Sequence, residues 1–452
     1  MITRLSRRVR VLGVLIGALA LGATSLPVAA TAAAAPVGAA ASAASSVAVA
    51  SSVAVASGHR ADDPVAHDPT MVKEGGWYYL AITGDAGKAD TFLPLKRSRD
   101  LVHWEDLAPV FTILPSWIAP ALGVDAASAP KDLWAPDLSY SHGEWRLYYA
   151  ASIFGKNTSV IGLATTKTLD PRSRDFGWHD RGQVVKSTDY QQPGGTSFNA
   201  IDPSITVDRS GQTWLSFGSF FSGIWLHRID GATGRVPAGD VAVHLAERAA
   251  PDAEENSTIV YRNGSYYLFL SFDYCCRGID SDYRTVVGRA SSITGPYVDA
   301  SGAPMLNGTG GTEVMRGYNE FVGAGGADIL LGSGAQPDLV VNHYYDATDG
   351  AVPKLSIRTL TWSSGGWPRV SPPLNPSRSV GHGDAYVTIS PRAADTVVEN
   401  AECGYEGANI GLGDDAGTAC QEWQLSDRGS GTRLTNRFSN DVAEDAGCVN
   451  TD

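Results

Sequence analysis

Five times along this 452-residue chain an acidic residue opens a short apolar run, and four of those runs lead through a Gly-aromatic turn into a second one. The five begin Asp68-Pro69-Thr70-Met71, Asp137-Leu138-Ser139-Tyr140, Asp202-Pro203-Ser204-Ile205, Glu255-Asn256-Ser257-Thr258 and Asp328-Ile329-Leu330-Leu331. The first four continue into Gly76-Trp77-Tyr78-Tyr79, Gly143-Glu144-Trp145-Arg146, Gly211-Gln212-Thr213-Trp214 and Gly264-Ser265-Tyr266-Tyr267. The fifth is weaker and runs on into Leu339 to Tyr345. Self-similarity at a period of about 50–75 residues points to a β-propeller with one four-stranded blade per repeat. Equivalent positions then form a ring around one axis, so the five acids are expected to converge on one pocket.

The 50 glycines, 11 tryptophans and 17 tyrosines suit an all-β chain with many tight turns. Residues 61–376 are read as the five-bladed propeller. Leu355–Trp362, followed by Gly365-Gly366-Trp367-Pro368, is expected to be the last strand of blade five. Ala108–Lys131 and Lys186–Asn199 lack strand pattern and are expected as loops over the pocket mouth.

The termini have another character. Arg4, Arg7, Arg8 and Arg10 precede an apolar run from Val11 to Leu26, and Ala29-Ala30-Thr31-Ala32 follows. That order reads as a cleavable secretory signal over residues 1–32, hence a secreted, extracellular protein. Residues 33–60 are an Ala/Ser-rich linker, and residues 377–397 form a connector. A formal net charge of −13 argues against nucleic acid or an anionic membrane as partner, and no later segment is apolar enough to span a bilayer. A monomer acting on a neutral substrate is expected. The cysteine count of five is odd. Adjacent Cys275 and Cys276 are compatible with a vicinal disulfide or with two thiols.

Two carboxyl groups across a pocket are the minimal equipment for cleaving a glycosidic bond, one protonated to release the leaving oxygen and one ionised to activate water. A third nearby carboxylate raises the donor's pKa. Asp68, Asp202 and Glu255 suit these roles in kind, with Asp137 and Asp328 at matching repeat positions. Singly, each Asp-Pro could equally cap a turn through its side chain. Nine histidines without metal-ligand spacing, and no G-x-S-x-G, leave zinc and serine-nucleophile chemistry without support.

Several segments together resemble glycoside hydrolase family 43, and within it the arabinan endo-1,5-α-L-arabinosidases. They are Val65-Ala66-His67-Asp68-Pro69, Trp134-Ala135-Pro136-Asp137, Asn199-Ala200-Ile201-Asp202-Pro203-Ser204, Ser216-Phe217-Gly218-Ser219-Phe220 and the stretch from Tyr266 to Gly278. The resemblance implies an inverting enzyme cutting internal α-1,5 bonds of arabinan and arabino-oligosaccharides. Asp68 would be the general base, Glu255 the general acid and Asp202 the residue that tunes and orients the acid; Glu254 competes with Glu255. Asn199, Ser219 and Gly162 match substrate-contacting positions, Trp134 is a candidate sugar platform, and Asp137 is counted with them. His343 matches a histidine near the axis that holds a hydrated ion, often calcium, although the chemistry itself would need no cofactor. One histidine is a poor ligand set for a hard cation, so the ion would be mostly water-bound. An exo-acting α-L-arabinofuranosidase, a β-xylosidase of the same family and a non-catalytic sugar-binding propeller stay open as alternatives. Residues 398–452, with Gln421-Glu422-Trp423, Leu434-Thr435-Asn436 and Gly447-Cys448-Val449, resemble one repeat of a ricin-type β-trefoil carbohydrate-binding module.

Overall fold

The computed structural model describes residues 63–318, 321–334 and 336–373, and beyond them only 386–388, 396–400, 410–414, 421–427 and 432–436. The signal and linker calls lie outside the described residues, as does most of the expected trefoil repeat. Among the described residues beyond Pro373, five short strands are found, the first of them within the expected connector, and Trp423 is buried on another.

Blade one is β1 (Thr70–Glu74), β2 (Trp77–Ala81), β3 (Leu95–Ser98) and β4 (Trp104–Leu107), an antiparallel meander. Blade two follows with β5 (Trp134–Ser141), β6 (Glu144–Ser152), β7 (Ser159–Thr166) and β8 (His179–Ser187). Blade three is β9 (Ser204–Val207), β10 (Thr213–Phe217), β11 (Ile224–Ile229) and β12 (Val243–Arg248). Blade four takes β13 (Glu254–Arg262), β14 (Ser265–Phe272), β15 (Arg284–Ala290) and β17 (Thr312–Arg316), while the intervening β16 (Leu306–Gly308) pairs parallel to β12 at the edge of blade three. Blade five is β18 (Phe321–Leu330), β19 (Asp338–Asp346), β20 (Val352–Trp362) and β21 (Pro368–Pro373). Leu355–Trp362 therefore lies in the third strand and not the last. Its successor was hidden by prolines, which an outermost strand tolerates because one side of it needs no ladder bond.

The Gly-aromatic signature has a backbone cause. Gly75-Gly76, His142-Gly143 and Asn263-Gly264 are two-residue hairpin loops with both φ values positive, from 48° to 90°. That is the turn whose twist matches its flanking strands and which selects glycine or asparagine. The aromatic residues beyond each turn begin a second strand that is buried on both faces. Tyr148 packs between blades two and three, while Tyr149, its neighbour, packs between blades one and two. In the same way Tyr267 faces blade five and Leu268 faces blade three. The period-two alternation of a strand thus feeds five interfaces from five sheets.

Inner strands β1, β5, β9, β13 and β18 contact one another in a closed ring. Closure is made by the N-terminal segment: Leu355 N donates to Pro64 O at 2.9 Å and Ala66 N to Pro353 O at 3.1 Å, which pairs residues 64–66 with the start of β20.

Candidate active site

Each inner strand has a residue with a left-handed backbone just before its regular pairing resumes or begins: Asp68 (φ 45°), Ala135 (42°), Asp202 (54°), Asn256 (52°) and Gly326 (61°). These five are the equivalent positions of the repeat. The residues two places on, Thr70, Asp137, Ser204, Thr258 and Asp328, pair regularly with the second strand of their blades. Asp137 and Asp328 are therefore offset from Asp68 and Asp202, a correction to the single ring of acids. They stitch neighbouring inner strands together. Asp328 accepts from Thr70 Oγ1 and Met71 N, both at 3.0 Å, and Asp137 accepts from Ile205 N at 3.2 Å. Burial, and then the charge of Asp328, push the Asp137 carboxyl well up.

Asp68, Asp202 and Glu255 line one cleft of about 1300 Å³ at the entrances of β1, β9 and β13. Glu255 reaches it at a break in register between Glu255 and Thr258, where the backbone turns left-handed at Asn256. Ser219 Oγ donates to Glu255 Oε2 at 2.7 Å and Tyr283 OH to Oε1 at 2.9 Å. Burial raises the Glu255 pKa; those two hydrogen bonds oppose the rise, and the charge of Asp68 adds to it. Asp202 accepts the Asn256 N–H at 3.1 Å, and burial with Glu255 and Asp68 beside it pushes its carboxyl well up too. The charge of Glu255 therefore disfavours ionisation of Asp202 beside it.

Asp68 behaves in the opposite way. Burial would raise its pKa, but His67 Nδ1 at 2.8 Å from Oδ2 and Thr83 Oγ1 donating at 2.7 Å hold the carboxyl far below its usual range. For His67, burial disfavours the imidazolium but the Asp68 carboxylate outweighs it, so its pKa is raised. The cleft thus holds one carboxylate favoured in its ionised form beside two carboxyls, Asp202 and Glu255, pushed toward the protonated form. Such a site can remove a proton from water and give one to a leaving oxygen.

Glu254 is fully buried and absent from the cleft wall, with Oε1 accepting from Arg248 N at 3.0 Å beside Gly223. Asn199 lines the cleft, and its Oδ1 accepts from Ser159 Oγ at 2.6 Å. Trp134 lines it as well, with Phe154 set edge-on against its ring at 6.4 Å. Gly162 does not: it lies within β7, where a side chain would strike the ring of Tyr149, so its role is packing. Asp137 sits off the cleft, as described above. His343 is completely buried beneath Asp68 and accepts the Asp68 N–H through Nδ1 at 3.1 Å. Burial, followed by the charge of His67, pushes His343 down to about 3. A neutral ring that accepts at Nδ1 carries its proton on Nε2, and Nε2 is buried without a protein partner. His343 therefore suits a water, or the hydration shell of a cation, better than direct ligation. Among the described residues, His67, Asp68 and His343 do bring donor atoms within 4.8 Å of one another.

The sequence reading missed Thr83, Tyr283, Tyr345 and the part played by His67. His67 stands inside a motif already singled out, whereas Tyr283 stands just before a third strand and carries no local signal.

Residues 63–368 match the model for Glycosyl hydrolases family 43. This chain belongs to that family. Among family 43 relatives, it is 42% identical over 311 residues to extracellular endo-α-(1→5)-L-arabinanase 1 of Bacillus subtilis strain 168, covering 68% of this chain and 88% of that protein. It is 37% identical over 314 residues to the extracellular exo-α-(1→5)-L-arabinofuranosidase ArbA of Cellvibrio japonicus strain Ueda107, covering 67% and 86%. A solved arabinanase of Cellvibrio cellulosa complexed with arabinohexaose superposes with a TM-score of 0.62 at 36% identity, over 68% of this chain and 96% of that one.

Proposed function

We propose that this family 43 enzyme is a secreted arabinanase that cuts internal α-1,5 bonds of arabinan with inversion at the anomeric carbon. The observation that carries the reading is the electrostatic contrast between Asp68 and Glu255 within one cleft. In this mechanism Glu255 gives its proton to the departing glycosidic oxygen as that bond breaks. A water attacks the anomeric carbon from the opposite face, and Asp68 takes the proton it releases. Asp202, which lies in the same cleft and accepts the N–H of Asn256 next to the acid, would tune and orient Glu255. Asn199, Ser219 and Trp134 would contact the sugar, the last by stacking on a furanose ring.

Internal cleavage is supported by the name of the Bacillus subtilis relative, and the Cellvibrio japonicus relative favours a second reading, release of arabinose units from chain ends. Secretion is supported by the basic and apolar leader and by relatives named extracellular. A cation on the axis would be held by His343 through a water of its shell, and its charge would help to keep Asp68 ionised.

Incubation with debranched arabinan, an aryl arabinofuranoside and xylan separates the readings. Short arabino-oligosaccharides from the polymer support internal cleavage. Arabinose release without oligosaccharides supports an exo enzyme, and xylan breakdown a xylosidase. No product from any of them leaves a binding protein. Proton NMR of the first product tests inversion, which requires the β-anomer from an α-linkage.

A further inference from the structure

Cys275 and Cys276 are joined by a disulfide between adjacent residues and line the catalytic cleft. Cys276 is exposed and Cys275 half-buried, so the pair adds nothing to any of the hydrophobic cores. Its backbone is used instead. Cys276 N donates to Tyr345 OH at 2.8 Å, that hydroxyl meets His67 Nε2 at 2.8 Å, and His67 Nδ1 meets Asp68 Oδ2 at 2.8 Å. His67 is further held by stacking on His343, with ring centroids 3.9 Å apart. Cys276 itself has φ of 67°, a conformation that L residues leave unless held there.

We propose that the Cys275–Cys276 disulfide is a positioning element for the base, acting through Tyr345 and His67 on Asp68. The small covalent ring keeps the dipeptide from relaxing, which fixes the Cys276 N–H against the Tyr345 oxygen. That oxygen sets the plane of His67, and His67 aims the carboxylate. An orientation error at a reacting group costs rate more than it costs substrate binding. The inference rests on Asp68 being the base, and the sugar need not touch either sulfur.

The test uses the full chain, opened with tris(2-carboxyethyl)phosphine and alkylated, with peptide mapping to show modification at Cys275 and Cys276. Opening is expected to lower kcat on an arabino-oligosaccharide about tenfold with KM changed less than about twofold. Tyr345→Phe is expected to lower kcat similarly, and opening the disulfide in that variant to add little further loss. The double variant Cys275→Ser/Cys276→Ser, checked for folding by circular dichroism, should match the opened enzyme. Unchanged kcat on opening overturns the proposal. So does a rise in KM alone, which would make the disulfide a wall of the sugar site, or full additivity with Tyr345→Phe. Near-normal activity in Asp68→Ala would overturn the assignment of the base itself, a separate result from any of these.

Discussion

The Nδ1 atom of His343 accepts the backbone N–H of Asp68 across 275 positions of the chain. Asp68 enters blade one and His343 lies in the second strand of blade five, so the bond spans the seam where the ring closes. The backbone of Asp68 is thus fixed by the last blade, while its side chain is fixed by His67 and Thr83.

Gly326 makes that contact possible. With φ of 61°, it leaves a side chain's first carbon only 2.6 Å from His343 Nδ1 and 3.1 Å from Asp68 Oδ1. His343 cannot retreat, because its ring is wholly buried and its Nδ1 already accepts the Asp68 N–H. Gly326→Ala should therefore lower both Tm and kcat, with a stability loss on the order of 2 kcal/mol from strain and overpacking. Thermal unfolding and steady-state kinetics check it, and a variant indistinguishable from wild type would show that this corner is loosely packed.

Substitution of Asp68, Asp202 or Glu255 by Ala should cut kcat by at least about two orders of magnitude, the usual scale for acid–base groups. Glu254→Ala should act through stability, because Glu254 lies outside the cleft. Loss of turnover in a well-folded Glu254→Ala, with Glu255→Ala active, would reverse the assignment.

With Glu255 as the proposed acid, activity should be lost as pH rises through its raised pKa. The hydrogen bonds from Ser219 and Tyr283 favour the ionised form and hold that pKa down. Removing either donor, in Ser219→Ala or Tyr283→Phe, should move the alkaline limb of kcat/KM to higher pH while lowering its plateau. An alkaline limb that moves down, or stays fixed in both, would mean that Glu255 is not the group titrating there.

Glu254 gives a pH-dependent stability of defined sign. Burial raises its pKa from 4.5 to about 8, against a backbone hydrogen bond and the charge of Arg248, with Asp252 and Glu247 adding to the rise. Below pH 4.5 it is protonated folded or unfolded. Between 4.5 and about 8 only the unfolded chain gives up the proton, so this group lowers stability as pH rises, by at most about 1.4 kcal/mol per pH unit. Glu254→Gln has no proton to lose, and its Tm should gain on wild type progressively from pH 5 to pH 8. A constant difference across that range would exclude the effect.

Much of this architecture was legible because local backbone needs leave residue signatures. The hairpin loops demand glycine or asparagine, and the doubly buried second strands demand unbroken runs such as Tyr266 to Phe272. The ring of acids was half-legible. Sequence shows where acids lie but not which residue takes the left-handed step, so Asp137 and Asp328 passed for equivalents of Asp68 when Ala135 and Gly326 hold that place. Tyr283 and Tyr345 could not be found from pattern at all. Tyr283 stands just before the third strand of blade four and reaches Glu255 only when that blade folds, whereas the Tyr345 hydroxyl meets His67 only when the ring closes.

The seam at residues 64–66 sets the order in which this enzyme becomes an enzyme. The segment that pairs with Pro353 and Leu355 ends two residues before Asp68, and no disulfide clasps the two ends of the ring among the described residues. A nascent chain emerging from its amino end can form blades one to four with Asp202 and Glu255 already placed, yet Asp68 has no His343 to hold it. Hydrolytic competence therefore arrives with the fifth blade. In reverse, warming that loosens only this seam extinguishes turnover while the four remaining sheets still stand, so inactivation precedes the loss of β structure.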